Sequence, residues 1–158
     1  MIEEIENFEE TKEAAEDLYA SFGEVWCPYL QEKVIFNAKG IEHLKFNRKN
    51  IARPRSDQYI RLKILKYAPD VIKKSHTLQG LSKTKSFEVI RSNHRNEKLL
   101  MEAIYFEFVS VVEERARVRV IVKKIGSAQP YFWSIIPFWK KNVESGRKQI
   151  NYGNPEED

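Results

Sequence analysis

Residues 115–123 alternate basic and apolar side chains, a spacing that suits an extended strand. Because successive side chains of a strand point to opposite faces, one face would carry four cations and the other alanine and valines. The cations are Arg115, Arg117, Arg119 and Lys123. The neighbouring apolar run 99–112 has no equally regular row of carboxylates to neutralise them, with Glu102 and Glu107 as exceptions. Arginine binds phosphate well through its planar guanidinium, so the stretch predicts either a phosphate-binding surface or an ordinary solvated sheet face.

His43 lies within six residues of four cations, on a stretch with helical spacing. Those cations are Lys39, Lys45, Arg48 and Lys49. An imidazole has an unperturbed pKa of about 6.5, so it can take up or release a proton near neutral pH. A partly buried helix residue without a chemical role is the alternative interpretation. His76 and His94 lie in polar connections and are interpreted as surface residues.

The sequence Tyr-Phe-Trp-Ser at 131–134 combines aromatic rings with a hydroxyl close to the basic stretch. Such rings can stack on the bases of single-stranded RNA, or they can fill a hydrophobic core. We assign Phe132 and one of the tryptophans to the core, and we keep Trp133 as a candidate for base stacking. On a regular strand Ser134 would face away from Trp133, where its hydroxyl could donate to a phosphate or to a neighbouring backbone group.

Several chemical classes are excluded by what the sequence lacks. A single cysteine, Cys27, leaves no internal disulfide and no cysteine-based zinc site, and it favours a reducing, cytoplasmic compartment. No metal-ligand spacing of His, Asp and Glu, no glycine-rich phosphate loop and no serine nucleophile elbow occur. We therefore expect neither a metal nor a cofactor. The apolar runs are shorter than the about 20 residues that span a bilayer, and the first 20 residues are acidic, so we expect no membrane span and no export signal.

Charge is segregated along the chain, although the net charge of the 158 residues is only +4. Residues 1–38 contain 2 basic and 10 acidic side chains, residues 39–98 contain 16 and 5, and residues 99–158 contain 9 and 8. A basic middle of this density is typical of proteins that bind polyanions. The acidic beginning has two interpretations. It lies against the basic middle and restricts access to it, or it is an amphipathic helix with a solvated acidic side.

Helical spacing comes first along the chain, and strand patterns follow. Apolar residues recur every three or four positions over 2–22, which predicts a helix. Asn37 is placed to cap a short helix that carries His43, and Ser56 is placed to cap a helix that carries Arg61. Pro69 begins a further short helix.

Short connections separate the predicted strands, so they should pair antiparallel, with the helices on one face of the sheet. The strands are predicted at 33–36, 87–90, 99–112, 115–125 and 129–138, and the last three pair in chain order. We expect an α+β fold, in which N-terminal helices precede a curved, roughly four-stranded antiparallel sheet. The predicted organisation of the chain has three parts: an acidic helical extension over 1–32, an α+β domain over 33–139 and a polar tail over 140–158.

Four short motifs together resemble the phage-associated members of the barnase, EndoU, colicin and RelE group of nucleases. The motifs are VIFNAKGIEHL at 34–44, RLKIL at 61–65, RVRVIVKKIG at 117–126 and FWSI at 132–135. The resemblance covers residues 33–137. It implies a small nuclease domain, in which helices precede a curved four-stranded antiparallel sheet, and a metal-independent ribonuclease activity of the toxin or effector type.

By this resemblance, His43 is the acid or base of RNA cleavage, and Ser134 contributes a hydrogen bond. The phosphate is held by Arg61, Arg119 and Lys123. The RNA 2′-hydroxyl attacks its own phosphate and leaves a 2′,3′-cyclic phosphate. Further RNA contacts are expected from Lys45, Arg48, Lys49, Arg53, Arg55, Arg117 and Trp133. RNA and an inhibitor or antitoxin protein are the expected partners. The alternative is a non-catalytic RNA-binding module, or a protein-interaction domain, that uses the basic sheet face.

Overall fold

The structure, a computed structural model, describes residues 7–92, 95–113, 116–138 and 154–158. The helices are α1 (Phe8–Ala20), α2 (Ala38–Lys45), α3 (Arg55–Ile64) and α4 (Ala68–Lys74), with a 3-10 turn (Leu65–Tyr67) between the last two. The strands are β1 (Glu24–Cys27), β2 (Glu32–Ile35), β3 (Gly80–Ser92), β4 (Arg95–Val112), β5 (Ala116–Ile125) and β6 (Tyr131–Pro137). None of the described helices is long and apolar enough to cross a membrane.

The strands form one sheet in the order β1-β2-β6-β5-β4-β3. Neighbouring strands pair antiparallel except β2 and β6, which are parallel and share one residue pair, Ile35 with Tyr131. The α+β prediction is confirmed. The prediction of a curved, roughly four-stranded antiparallel sheet is wrong, because the sheet is mixed, has six strands and is not strongly curled. β1 escapes prediction because an alternation over four residues is too short to recognise.

The predicted pairing of the last three strands is confirmed, because β5 pairs antiparallel with both β4 and β6. The strand predicted at 87–90 is only the middle of a much longer one. Gly80 pairs with Glu107 at one end of the β3–β4 ladder, and Ser92 pairs with Arg95 at the other. β3 lies at the edge of the sheet, where water can reach its side chains, so its polar residues hide the apolar alternation on which the prediction depends.

Helices α1, α3 and α4 cover one face of the sheet. Their buried side chains meet the even-numbered face of β5, formed by Val118, Val120 and Val122, in one hydrophobic core. Phe8 and Tyr19 of α1 belong to the same core, as do Val25 and Cys27 of β1. The boundary predicted between residues 32 and 33 is therefore not a break in the packing. The described part of 1–32 is an integral part of the domain, because its apolar side chains complete the core.

The start of α2 follows the prediction, and the start of α3 does not. Asn37 caps α2 by accepting a hydrogen bond from the backbone N–H two residues on, at 3.1 Å. α3 begins at Arg55, and the N–H of Gln58 donates to the carbonyl of Pro54 at 3.0 Å. Ser56 lies inside this first turn, so its prediction as the cap is wrong. The fixed φ of proline directs the chain into the helix without a side-chain cap.

Gly40 allows α2 to approach β6 closely, and this approach positions His43. A Cβ at residue 40 would lie 2.4 Å from the carbonyl oxygen of Phe132 and 2.6 Å from the hydroxyl of Tyr19. Any larger residue would push the helix away from the strand. The glycine of the VIFNAKGIEHL motif therefore sets the distance between the helix and the sheet.

Candidate functional site

A β-bulge in β6 shapes the basic face of the sheet. Ile121 pairs with Ser134, but Val122 pairs with Phe132, which leaves Trp133 as the extra residue. The bulge brings Trp133 and Ser134 to the same face, that of the odd-numbered residues of β5, because the extra residue interrupts the alternation. The prediction that Ser134 faces away from Trp133 is therefore wrong. Phe132 lies in the core, as assigned.

The basic face is not solvated. Arg119 exposes 2% of its surface and Lys123 exposes 5%, so the interpretation as an ordinary solvated face is wrong for both. Helices α2 and α3 pack against β6 beside them. Residues 154–158, which we call the acidic segment (Asn-Pro-Glu-Glu-Asp), hydrogen-bond to side chains of this face.

Four of the predicted catalytic residues contact Asp158 of the acidic segment. Its main-chain oxygen accepts hydrogen bonds from Ser134 Oγ at 2.5 Å and from Arg61 Nη1. The backbone of the same residue lies close enough to the His43 ring to raise its pKa, against larger effects that lower it. The carboxylate of Asp158 accepts a hydrogen bond from Arg119 Nη1 at 2.8 Å. Side chains from α2, α3, β5 and β6 thus converge on one residue.

His43 is almost completely buried. Its ring stacks on Trp133 with ring centroids 3.9 Å apart, and its Nε2 lies 3.1 Å from Arg53 Nη2. Because arginine can only donate, Nε2 is the acceptor, and the neutral ring carries its proton on Nδ1. Burial, and then the positive charges of Arg53, Arg61 and Lys123, lower the pKa of His43 to about 2. The imidazole is therefore neutral at physiological pH in this arrangement.

The lowered pKa of His43 should make the stability of the protein depend on pH. Below the unfolded-state pKa of about 6.5, only the unfolded chain takes up this proton, so the free energy of unfolding falls as the pH falls. Between about pH 8 and pH 5.5 the loss should be about 1.4 kcal/mol. Urea denaturation at several pH values measures it. His43→Asn should lose this component and His76→Asn, at an exposed histidine, should keep it. If the free energy of unfolding changes with pH equally in His43→Asn and in the unchanged chain, the prediction is contradicted.

Lys123 lies next to the group around Asp158. Its ammonium is 4.4 Å from the centre of the Trp133 ring and 5.4 Å from the centre of the Tyr105 ring, and it pairs with Glu88 at 2.8 Å. Burial lowers the pKa of Lys123, and the hydrogen bond to Glu88 opposes this shift. Since His43 and Lys123 both contact the ring of Trp133, this tryptophan connects the two titratable groups.

An aromatic cleft of about 400 Å³ opens beside Trp133. Besides that indole, its lining contains the ring of His43, three other aromatic rings, three cations and two carboxylates. The aromatic and charged residues are Phe46, Phe87, Tyr131, Lys39, Arg48, Lys123, Glu42 and Glu88. Flat apolar walls with a few polar groups are suited to a planar heteroaromatic ring. Within the 131–134 motif, Phe132 lies in the core beneath the helices. Tyr131 and Trp133 are buried in a second hydrophobic cluster with Tyr105 and Ile121, and they also line the cleft.

Glu107 of β4 neutralises part of the basic face. Arg119 Nε donates to Glu107 Oε1 at 2.5 Å, and Nη2 of the same guanidinium also contacts that oxygen. Glu107 lies diagonally across from Arg119, because the direct partner of Arg119 in the β4–β5 ladder is Val109. Glu107, one of the two exceptions that the sequence offers in the run 99–112, thus neutralises Arg119.

Three residues predicted as RNA contacts bind the acidic segment instead: Arg48, Arg53 and Trp133. Arg53 also belongs to the group around His43, since its Nε donates to the His43 carbonyl at 2.9 Å. Its Nη2 donates to the main-chain oxygen of Glu157 at 2.8 Å. Arg53 therefore contributes to the electrostatics around His43 as well as binding the acidic segment, a role that the sequence pattern did not indicate.

The other four predicted RNA contacts make no described contact with the acidic segment: Lys45, Lys49, Arg55 and Arg117. Two of them bind α1. Lys45 pairs with Glu16 at 3.1 Å, and the guanidinium of Arg55 lies 5.1 Å from the centre of the Phe8 ring. Lys49 is exposed, and Arg117 is half-buried on β5. These residues stand outside the convergent group.

The acidic α1 does not cover the basic face. Its described part packs against α3 and the 3-10 turn, and Phe8, Ala15 and Tyr19 are buried in the core on the other side of the sheet. The described part of α1 is therefore an amphipathic helix packed on the core, and it contacts the basic middle of the chain through the pair of Glu16 with Lys45. The basic face is covered by the acidic segment, the end of the predicted polar tail over 140–158. Residues 139–153 of that tail lie outside the described residues.

Apart from Glu107, the acidic partners of the site are missing from the sequence-based prediction. Asp57 is detectable in the sequence, because it stands four residues before Arg61 in a helix, and Arg61 Nε donates to it at 3.0 Å. Glu88 is not detectable, since its pairing with Lys123 depends on the register of three strands. Asp158 is only weakly indicated, by the two glutamates that precede it in the sequence.

Within the described ranges, no group of three His, Cys, Asp or Glu side chains is placed to hold a metal ion. No protein-family model matches the chain, and no curated protein and no solved structure is significantly similar to it. The function therefore has to be inferred from the geometry of the site itself.

Proposed function

We propose that the chain is a metal-independent endoribonuclease that cleaves RNA by attack of the 2′-hydroxyl, as its resemblance to the barnase, EndoU, colicin and RelE group implies. The convergence of His43, Arg61, Arg119 and Ser134 on Asp158 carries the proposal. The main-chain oxygen and the carboxylate of Asp158 stand in for the non-bridging oxygens of an RNA phosphate. Both are acceptors held by donors that suit a phosphate equally well.

Each residue of the group has a role in this reaction. The 2′-oxygen forms a bond to phosphorus, and the bond from phosphorus to the 5′-oxygen breaks. His43 takes the 2′-hydroxyl proton on Nε2 once the acidic segment has left and Arg53 has released that nitrogen, because hydration of the ring and the negative charge of the RNA phosphate raise its pKa. Arg61, Arg119 and Ser134 hold the oxygens on which negative charge increases. Lys123 is the candidate donor of a proton to the 5′-oxygen, since burial lowers the pKa of its ammonium.

The aromatic cleft favours a nucleic acid over a simple anion as the substrate. It opens beside the residues that bind Asp158, and its lining includes His43 together with the Trp133 ring on which His43 stacks. A base stacked in this cleft would place its own phosphate near the arginines. An inhibitor or antitoxin protein, the second partner that the resemblance implies, would have to cover the same surface.

Incubation of RNA with the protein in EDTA tests the proposal. We expect the chain without residues 154–158 to cleave mixed RNA and to leave 2′,3′-cyclic phosphate ends, because the attacking oxygen belongs to the RNA itself. The same sequence with 2′-O-methyl groups should bind and remain intact. His43→Asn purified in the same way controls for contaminating ribonucleases. Salt-dependent RNA binding without cleavage would support the binding-module alternative, and neither binding nor cleavage would support a protein-interaction domain.

A further inference from the structure

We infer that the acidic segment is an internal competitive inhibitor, which occupies the phosphate-binding group and must be displaced before RNA binds. The inference rests on the proposed function for the identity of the competing ligand. The contacts that carry it involve four of the five residues of the segment, and each contact is made to a residue of the candidate site.

The segment presents its oxygen atoms to cations and donors in sequence. Besides the contacts of Asp158, the main-chain oxygen of Glu157 accepts from Arg53, and the carboxylate of Glu156 pairs with Arg48 at 2.8 Å. The carbonyl of Pro155 accepts from the indole Nε1 of Trp133 at 3.1 Å. A short peptide thus supplies acceptors to donors that would otherwise meet the phosphates of RNA.

The segment is itself a compact turn. The N–H groups of Asp158 and Glu157 donate to the main-chain oxygen of Asn154 at 2.8 and 3.0 Å, and Asn154 Oδ1 accepts from the N–H of Glu156 at 3.2 Å. Pro155 is buried against the site. A turn that is held by its own hydrogen bonds loses less conformational entropy on docking than an extended strand would, so a segment of five residues can compete for the site.

The docked segment makes the site unsuitable for proton transfer. His43 is buried while the segment is docked, and the segment holds the donors that a substrate would need. The aromatic cleft beside it remains open to solvent. RNA can therefore place a base in the cleft first, and its phosphate can then replace the carboxylate of Asp158. In this order of events the contacts with the segment are broken one at a time.

Neutralising the segment in the full chain tests the inference. The variant Glu156→Gln/Glu157→Gln/Asp158→Asn should bind 2′-O-methyl RNA about tenfold more tightly than the unchanged chain, because the fraction of open sites rises. Deletion of 154–158 should have at least the same effect. Glu9→Gln/Glu10→Gln/Glu13→Gln, at exposed positions of α1, removes the same charge elsewhere and controls for a general gain in attraction.

Cleavage measured on the same variants separates the inference from the proposed function. Faster cleavage together with tighter binding supports both, and adding the peptide Asn-Pro-Glu-Glu-Asp to the deletion variant should restore inhibition. Tighter RNA binding without cleavage by any variant supports inhibition by the acidic segment and contradicts the proposed ribonuclease activity. If RNA affinity and cleavage rate are the same with the segment present, neutralised or deleted, the segment is not an inhibitor, and the proposed ribonuclease activity is unaffected. An equal gain from the α1 control also contradicts inhibition by the segment, because the effect would then be one of net charge.

Discussion

Replacing His43 with asparagine in the chain that lacks residues 154–158 should lower the rate constant for RNA cleavage by about 10²–10⁴-fold, the usual effect of removing an acid or base. The affinity for 2′-O-methyl RNA should change by less than about threefold, because the imidazole acts on the reacting proton and the phosphate is held by Arg61 and Arg119. His76→Asn is the matched control, since it removes an exposed histidine and should leave both quantities unchanged.

Single-turnover cleavage and fluorescence anisotropy measure the two quantities separately. A His43→Asn variant that loses rate and affinity in equal proportion would assign His43 to binding rather than to proton transfer. A variant that is folded and cleaves RNA at the normal rate would exclude His43 from the chemistry.

Replacing Arg119 with methionine in the full chain should lower the free energy of unfolding by about 3 kcal/mol, the lower end of the range for breaking a buried ion pair. Arg119 is 2% exposed and holds two carboxylates, those of Glu107 and Asp158. Asp158 can leave with the acidic segment, but Glu107 stays on β4 with its charge unpaired. The same replacement at Arg117, which is half-buried on the same strand, is the control and should have a much smaller effect.

Urea denaturation of the single and double variants measures this coupling. Arg119→Met/Glu107→Gln should recover a large part of the lost stability, because the buried carboxylate is then neutral. A double variant as unstable as Arg119→Met would show that the guanidinium stabilises the fold by packing alone. Arg119→Lys in the chain without the segment should keep the charge, raise KM and lower kcat, since the forked donor is lost in both the ground state and the transition state.

The sequence by itself determined the elements whose signals are local. The alternation from Ala116 to Lys123 specifies β5 and its two faces, because side chains on a strand alternate whatever lies beside it. Asn37 specifies the start of α2 through a hydrogen bond within three residues. The short connections among the last three strands specify their antiparallel pairing. These features need only the neighbouring residues along the chain.

The sequence did not determine which elements become neighbours in the sheet. β1 and β2 form a hairpin that joins the edge of β6 through a single parallel pair, Ile35 with Tyr131. No local pattern encodes that junction, because it depends on how α2 packs against β6. The length of the β3–β4 ladder is hidden for a different reason: an edge strand exposed to water keeps polar residues that resemble a loop.

Only the tertiary structure decided the arrangement of the candidate site. One extra residue in β6, Trp133, changes the face on which Ser134 lies. The alternation of side chains along a strand does not predict this bulge, because the bulge appears only in the pairing with β5. The convergence of His43 with Arg119 depends on the packing of a helix against a strand far along the chain. Asp158 is held by donors that the fold gathers from separate elements, two of them charged, and for this reason its position could not be foreseen from the order of charges along the sequence.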